Sequence, residues 1–215
     1  MKHYRFRVSR DHHWGQADGR HALSFLINLE EIQKEFQATL SSGSKVPLVD
    51  GFKRSLQIAT RSARQKHKLI FIGNGGSAAI ASHQAVDYWK NGGLEAIAFN
   101  DSSLLTCIGN DCGFQDLFRV PIQRFARRGD ILFAISSSGA SANILNGVKA
   151  ARASGCRVIT FSGFAPTNPL RSLGDVNFYV PSNAYGIVEV SHLALIHSIL
   201  REVIYLNPKV MKRGY

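Results

Sequence analysis

The chain has 215 residues, of which 45% are hydrophobic and 19% charged, a composition that fits one folded domain with a full sheet-and-helix core. No apolar run reaches the ~18 residues of a membrane span, and the basic start MKHYRFRVSRDHHWGQ lacks the apolar stretch and cleavage site of a secretory signal. A cytoplasmic location without membrane attachment is therefore expected. Cys107, Cys112 and Cys156 form no C-x-x-C pair and leave an odd count, which argues against a disulfide framework or zinc ribbon. A formal net charge of +11 can signal nucleic acid, a membrane surface or small anions. The basic residues cluster only at the tails and on expected helices (Lys53, Arg54, Arg61, Arg64, Lys66). They read as solvated surface, and no nucleic-acid partner is expected.

Residues 1–20 show no periodicity and read as an irregular arm, with a single domain over 21–215. Leu23, Leu26, Ile27, Phe36 and Leu40 recur at helical spacing and predict a helix from about Ala22 to Leu40. Its apolar positions exceed what a sheet needs, so it is expected to pack against another subunit. Ser41 to Ser44 and Pro47 break the pattern, and a second helix fits about Val49 to Lys66. Beyond it, β-prone runs at Lys68–Ile72, Leu94–Phe99, Asp130–Ile135, Arg157–Phe161 and Val176–Val180 alternate with helical stretches. Those stretches lie at about Ser77–Lys90, Phe114–Arg127, Ala142–Ser154 and Ile187–Tyr205. This is the pattern of an α/β fold: a five-stranded parallel sheet flanked by helices, preceded by N-terminal helices.

In such sheets ligands sit beyond the carboxyl ends of the strands. Two loops there stand out. Gly73-Asn74-Gly75-Gly76-Ser77 follows the first strand; its glycines permit close backbone approach, and Ser77 is placed to cap the next helix. Ser136-Ser137-Ser138-Gly139-Ala140-Ser141 follows the third strand and supplies four hydroxyls beside a helix start. One such loop is more often a plain turn; two, each between a strand and a helix, favour a phosphorylated ligand. Neither carries the lysine of a nucleotide P-loop, and no G-x-G-x-x-G starts at Gly73.

His83 and Asp87 stand four apart on the helix after the first loop and so share a face. Glu189, His192 and His197 lie on the last expected helix within an arc of roughly 140°. A single His–carboxylate pair is more often an ordinary ion pair or helix cap; two pairs, one beside a phosphate loop, favour a metal or acid–base role. Asn110 and Asp111, near Gly113, are turn formers that also suit a polyol ligand.

The segments GNGGSAAIASH (73–83), LTCIGNDCGF (105–114), GDILFAISSSGASANIL (129–145) and EVSHLALIHSIL (189–200) resemble the sugar isomerase (SIS) domain family, and within it the phosphoheptose isomerases. The likeness spans about residues 22–205. It implies a flavodoxin-like three-layer fold, a homotetramer with sites near subunit interfaces, and isomerisation of sedoheptulose 7-phosphate to an aldoheptose 7-phosphate for lipopolysaccharide or capsule synthesis. By the same resemblance Asn74, Gly75, Gly76, Ser77, Asn110, Asp111, Ser136, Ser137, Ser138 and Ser141 bind the substrate. The resemblance also implies a zinc and acid–base cluster of His83, Asp87, Glu189 and His197; His192 is expected behind it, and Asp87, Glu189 and His197 are expected to move protons. The chain departs from the family pattern at Asp87, where glutamate is usual, at Glu189, where glutamine is usual, and near Gly186, where an aspartate is missing. A non-catalytic SIS-fold adaptor or phosphosugar sensor is the alternative that the resemblance leaves open.

Overall fold

The computed structural model describes residues 20–207. In chain order they form α1 (Arg20–Gln33), β1 (Gln37–Leu40), β2 (Lys45–Val46), α2 (Leu48–Arg64), β3 (Leu69–Gly73), α3 (Gly76–Lys90), β4 (Ala96–Ala98), α4 (Ser102–Asp111), α5 (Arg119–Phe125), β5 (Ile131–Ser136), α6 (Ala142–Ala153), β6 (Arg157–Ser162), β7 (Val176–Tyr179) and α7 (Tyr185–Tyr205). The expected arm lies, up to residue 19, outside the described residues.

Among the described residues seven strands make one sheet in the order β2-β1-β7-β6-β5-β3-β4. The stretch from β7 to β4 is parallel and consists of the five expected strands. β1 and β2 extend it as an antiparallel edge. That edge corrects the sequence expectation of one helix running to Leu40. The helix stops at Gln33, and Gln37–Leu40 pairs with Tyr179–Val176 of β7, burying Ala38 completely. Pairing across more than a hundred residues wins over a local apolar spacing that suits either structure.

The helix expected over Phe114–Arg127 is also divided, into a 3-10 turn at Phe114–Asp116 and α5. Pro121 has no N–H to donate and is tolerated only near a helix start, so the helix begins anew at Arg119. α4 was not foreseen. Asp101 starts it by accepting hydrogen bonds from the backbone N–H of Ser103 at 2.9 Å and Leu104 at 3.1 Å, the side-chain cap that helices favour.

The central strands bury both faces, as parallel strands covered by helices do. On one face Phe71, Phe133, Phe161 and Phe178 stack in a row across β3, β5, β6 and β7, with centroids 4.7, 6.0 and 5.4 Å apart. α2, α3 and α7 cover this row. On the other face Ile70, Ile72, Leu132, Ala134 and Val158 pack against α5 and α6. No helix among the described residues is long and apolar enough to cross a membrane.

Candidate functional site

The loops after β3 and β5 emerge side by side because their strands are hydrogen-bonded neighbours. A pair of amides ties them together. Asn74 Nδ2 donates to Asn143 Oδ1 at 2.9 Å, and Asn143 Nδ2 donates back to Asn74 Oδ1 at 2.8 Å. Asn143 is fully buried in the first turn of α6. Sequence reasoning had no signal for it, since its role depends on a loop 69 residues away.

A small cavity of about 110 Å³ lies between the loops, lined by Asn74, Ser77, Ser136, Ser137, Ser138, Ser141, Tyr185 and Glu189. Six of the expected substrate-binding residues therefore meet in one place. Two serines use their oxygens within the loop itself: Ser136 Oγ accepts from the Gly139 N–H and Ser138 Oγ from the Ala140 N–H. Ser137 Oγ is buried without a hydrogen-bond partner. Ser141 occupies the N-cap position of α6 yet makes no side-chain cap bond. Both hydroxyls are thus available to a ligand, beside a helix start that favours an anion.

In the first loop Gly75 takes a positive φ of 55° as the residue preceding α3, a conformation that favours glycine. Ser77 is the second residue of α3, buried in its first turn, and does not cap the helix, contrary to the expectation from sequence. A Cβ on Gly76 would collide with the Glu189 carboxylate. The absence of a side chain at 76 is what lets Glu189 reach the loop.

Asn110 and Asp111 are not turn residues. They end α4 as exposed residues, where Asn110 Nδ2 donates to Asp111 Oδ1 at 2.7 Å. Neither lines the cavity.

α3 and α7 lie side by side and run in the same direction: Gly76 faces Glu189 and Gln84 meets His197. Tyr88 Oη closes the contact by donating to the Ile196 carbonyl at 3.2 Å. This packing gathers His83, Asp87 and His197, whose ligand atoms all lie within 4.8 Å of one another. His83 Nε2 is 3.2 Å and His197 Nδ1 3.8 Å from Asp87 Oδ2. The two rings meet edge to face at 5.4 Å. Burial pushes the His197 imidazole below its ordinary pKa and the neighbouring His83 adds to this, while the Asp87 charge opposes.

Glu189 does not belong to this group. It precedes His197 by eight residues on one helix, a rise of about 12 Å, and its carboxylate is turned to Gly76 and the serine cavity. His192 is not behind the cluster either. It is fully buried, with its ring edge against Phe161 at 6.1 Å, and Nε2 donates to the Ser162 carbonyl at 3.1 Å.

Gln84, which the sequence reading passed over, stands behind the cluster instead. Its side-chain nitrogen lies 2.9 Å from His197 Nε2, and its Oε1 is buried without a partner. In that arrangement His197 Nε2 accepts and Nδ1 carries the proton toward Asp87. Turning the amide over brings Oε1 to an Nε2–H and frees the Nδ1 lone pair for a cation. Two imidazoles and a carboxylate are a zinc-type donor set, and the orphaned Oε1 supplies the outer hydrogen bond that metal-bound histidines require. The residues fit the metal.

His192 carries a consequence for stability. Burial drives its pKa down to about 4, against about 6.5 in an unfolded chain. Between these values the unfolded state binds a proton that the folded state refuses, so stability falls as pH drops through the window. About 2 kcal/mol should be lost between pH 7 and pH 5. Urea unfolding of wild type and His192→Gln at the two pH values measures this; an equal loss in both proteins would rule out His192 as its source.

A model of the SIS domain matches residues 33–163. The chain belongs to the SIS domain family. It is 37% identical over 180 residues to the phosphoheptose isomerase of Helicobacter hepaticus, an alignment covering 80% of this chain and 91% of that one. With the phosphoheptose isomerase of Aliarcobacter butzleri it shares 35% over 176 residues, covering 78% and 93%. The structure of phosphoheptose isomerase from Neisseria gonorrhoeae superimposes with a TM-score of 0.73 at 29% identity, covering 85% of this chain and 96% of that one.

Proposed function

We propose that this SIS protein is a phosphoheptose isomerase, interconverting sedoheptulose 7-phosphate and D-glycero-D-manno-heptose 7-phosphate for surface-glycan synthesis. The observation that carries the reading is the meeting of both serine- and glycine-rich loops in one cavity beside α7, in a chain 37% identical to a phosphoheptose isomerase. The free hydroxyls of Ser137 and Ser141 and the start of α6 take the phosphate. Glu189, at the same cavity, accepts hydrogen bonds from sugar hydroxyls. An extended seven-carbon chain anchored by its phosphate carries its carbonyl end away from the serines, toward His197 and Asp87.

Isomerisation removes a proton from the carbon next to the carbonyl and returns one to the neighbouring carbon, through an enediol. In the metal-free site His197 is suited to one transfer: with the Gln84 amide turned over its Nδ1 lone pair is free, and its lowered pKa leaves the ring neutral at pH 7; a bound metal would take that lone pair instead. Asp87, 3.8 Å away, orients the ring and serves the second transfer. His83, Asp87 and His197 would hold zinc, and Gln84 would steady His197 behind it. When bound, zinc supplies a Lewis acid that stabilises enediolate charge. The exposed Leu23, Leu26 and Ile27 of α1 support assembly through that helix, as a homotetramer with Asn110 and Asp111 free to meet substrate at a neighbouring site.

NMR of heptulose, hexulose and pentulose phosphates incubated with the protein tests the reading, with isomer formed from sedoheptulose 7-phosphate as the expected outcome. No isomer from any of them would sink it. Ser141→Ala is expected to raise KM about tenfold through one lost hydrogen bond to a charged group. An unchanged KM would move the phosphate elsewhere.

A further inference from the structure

The opposite end of the sheet holds a second concave surface. We propose that this basic cavity, at the amino ends of β5 and β6, binds a small anion carrying two or more linked phosphate groups. Its volume is about 750 Å³, within the range of small-molecule sites. Five arginines line it: Arg54 and Arg61 from α2, Arg128 from the turn before β5, Arg152 from the end of α6, and Arg157 at the start of β6. His67 completes the wall.

The carboxylates close by are already engaged. Asp175 pairs with Arg152 at 3.1 Å and with Arg157 at 3.2 Å. Asp130 is buried and takes Lys68 at 2.6 Å and His67 at 3.8 Å. Among the described residues Arg54, Arg61 and Arg128 make no ion pair. Like charges gathered in a concavity repel one another, and its walls focus their field on whatever anion enters.

The chemistry of the lining narrows the occupant. α2 and α6 both end here, so their dipoles turn negative ends toward the cavity. Attraction therefore falls to the guanidiniums, whose planar forks grip phosphate oxygens in pairs. They reach in from four elements of the fold. A lone phosphate engages one side, whereas linked phosphates span several. Among the described residues no Phe, Tyr or Trp lines the cavity, so bases lack the broad stacking platform that single-stranded nucleic acid uses. The basic wall is a hollow rather than an exposed stripe, which suits a metabolite over a duplex or a membrane. Cys156 takes no covalent part, because burial pushes its thiol up to about 11.

The site is separate from the serine loops. The six residues of β5 lie between the two ends, about 20 Å, and α6 also begins at the serine loop and ends at the cavity.

Calorimetric titration of inorganic tripolyphosphate into the full chain at fixed ionic strength tests the proposal, with a readout that does not depend on isomerase activity. One equivalent should bind. The double variant Arg61→Ala/Arg128→Ala should bind at least tenfold more weakly, and Arg61→Lys/Arg128→Lys should recover part of the loss, which separates charge from misfolding. Arg201→Ala, an exposed arginine on α7, and Ser141→Ala should stay within twofold of wild type. Unchanged affinity in the double alanine variant overturns the proposal. So does an equal loss in Arg201→Ala, which would mean diffuse surface charge, or a tenfold loss in Ser141→Ala, which would put the anion in the serine loop. Tighter binding of a DNA duplex or of phosphatidylserine vesicles than of tripolyphosphate overturns it as well.

Discussion

Replacing His197 with alanine should lower kcat for sedoheptulose 7-phosphate about 10³-fold, the middle of the range for losing a positioned acid–base group. The structure gives the reason for so large an effect. Gln84 fixes the imidazole from one side at 2.9 Å, and Asp87 faces it from the other at 3.8 Å. No other histidine among the described residues stands in its place: His83 belongs to the same cluster but on α3, and His192 is sealed against Phe161. The side chain of His197 is 42% exposed, so truncation should cost little stability, and circular dichroism and thermal melting should match wild type. A variant that keeps activity within tenfold while folded would remove His197 from the mechanism.

The second large effect concerns Gln84, one residue after His83. Substituting leucine keeps the bulk but removes both polar atoms behind His197. Zinc affinity, measured by competition with a chromogenic chelator, should fall between about 10- and 100-fold, the usual cost of deleting a group that orients a metal-bound histidine. Leucine also relieves the buried, unpartnered Oε1, an atom that costs the metal-free protein stability. Metal-free Gln84→Leu should therefore melt no lower than wild type while binding zinc more weakly. A variant with unchanged affinity would show that Gln84 only fills space.

The parallel core was legible because each central strand is a short apolar run closed by glycine or serine. LIFIG, ILFAIS and RVITFS need both faces covered, and the helices between them provide the cover. β1 was not legible: Phe36 and Leu40 stand four apart, as a helix requires, and only pairing with β7 makes a strand of Gln37–Leu40. α4 did leave a signal, since Asp101 precedes Ser102-Ser103-Leu104-Leu105 as a capping residue would. In the site, the loops and both histidines of the cluster could be read from spacing and resemblance. Asn143 and Gln84 could not, because each acts only on a residue brought to it by the fold. Glu189 and His192 were placed near His197 by their angle around α7; the rise along the helix axis, which angle ignores, separates Glu189 from it.

The side-by-side course of α3 and α7 sets which changes in chain length this protein can absorb. Gly76 meets Glu189 and Gln84 meets His197, so the two helices keep one fixed offset over the whole contact. A single residue inserted within either helix between those points would turn everything beyond it by about 100° and advance it by 1.5 Å. His197 would then leave Asp87 while the serine loops stayed intact. Residues added in the turn at Gly92–Gly93, or between Phe164 and Asn168, alter neither helix. Natural length variants and engineered insertions should therefore collect in those connections, and a chimera should exchange α3 and α7 together.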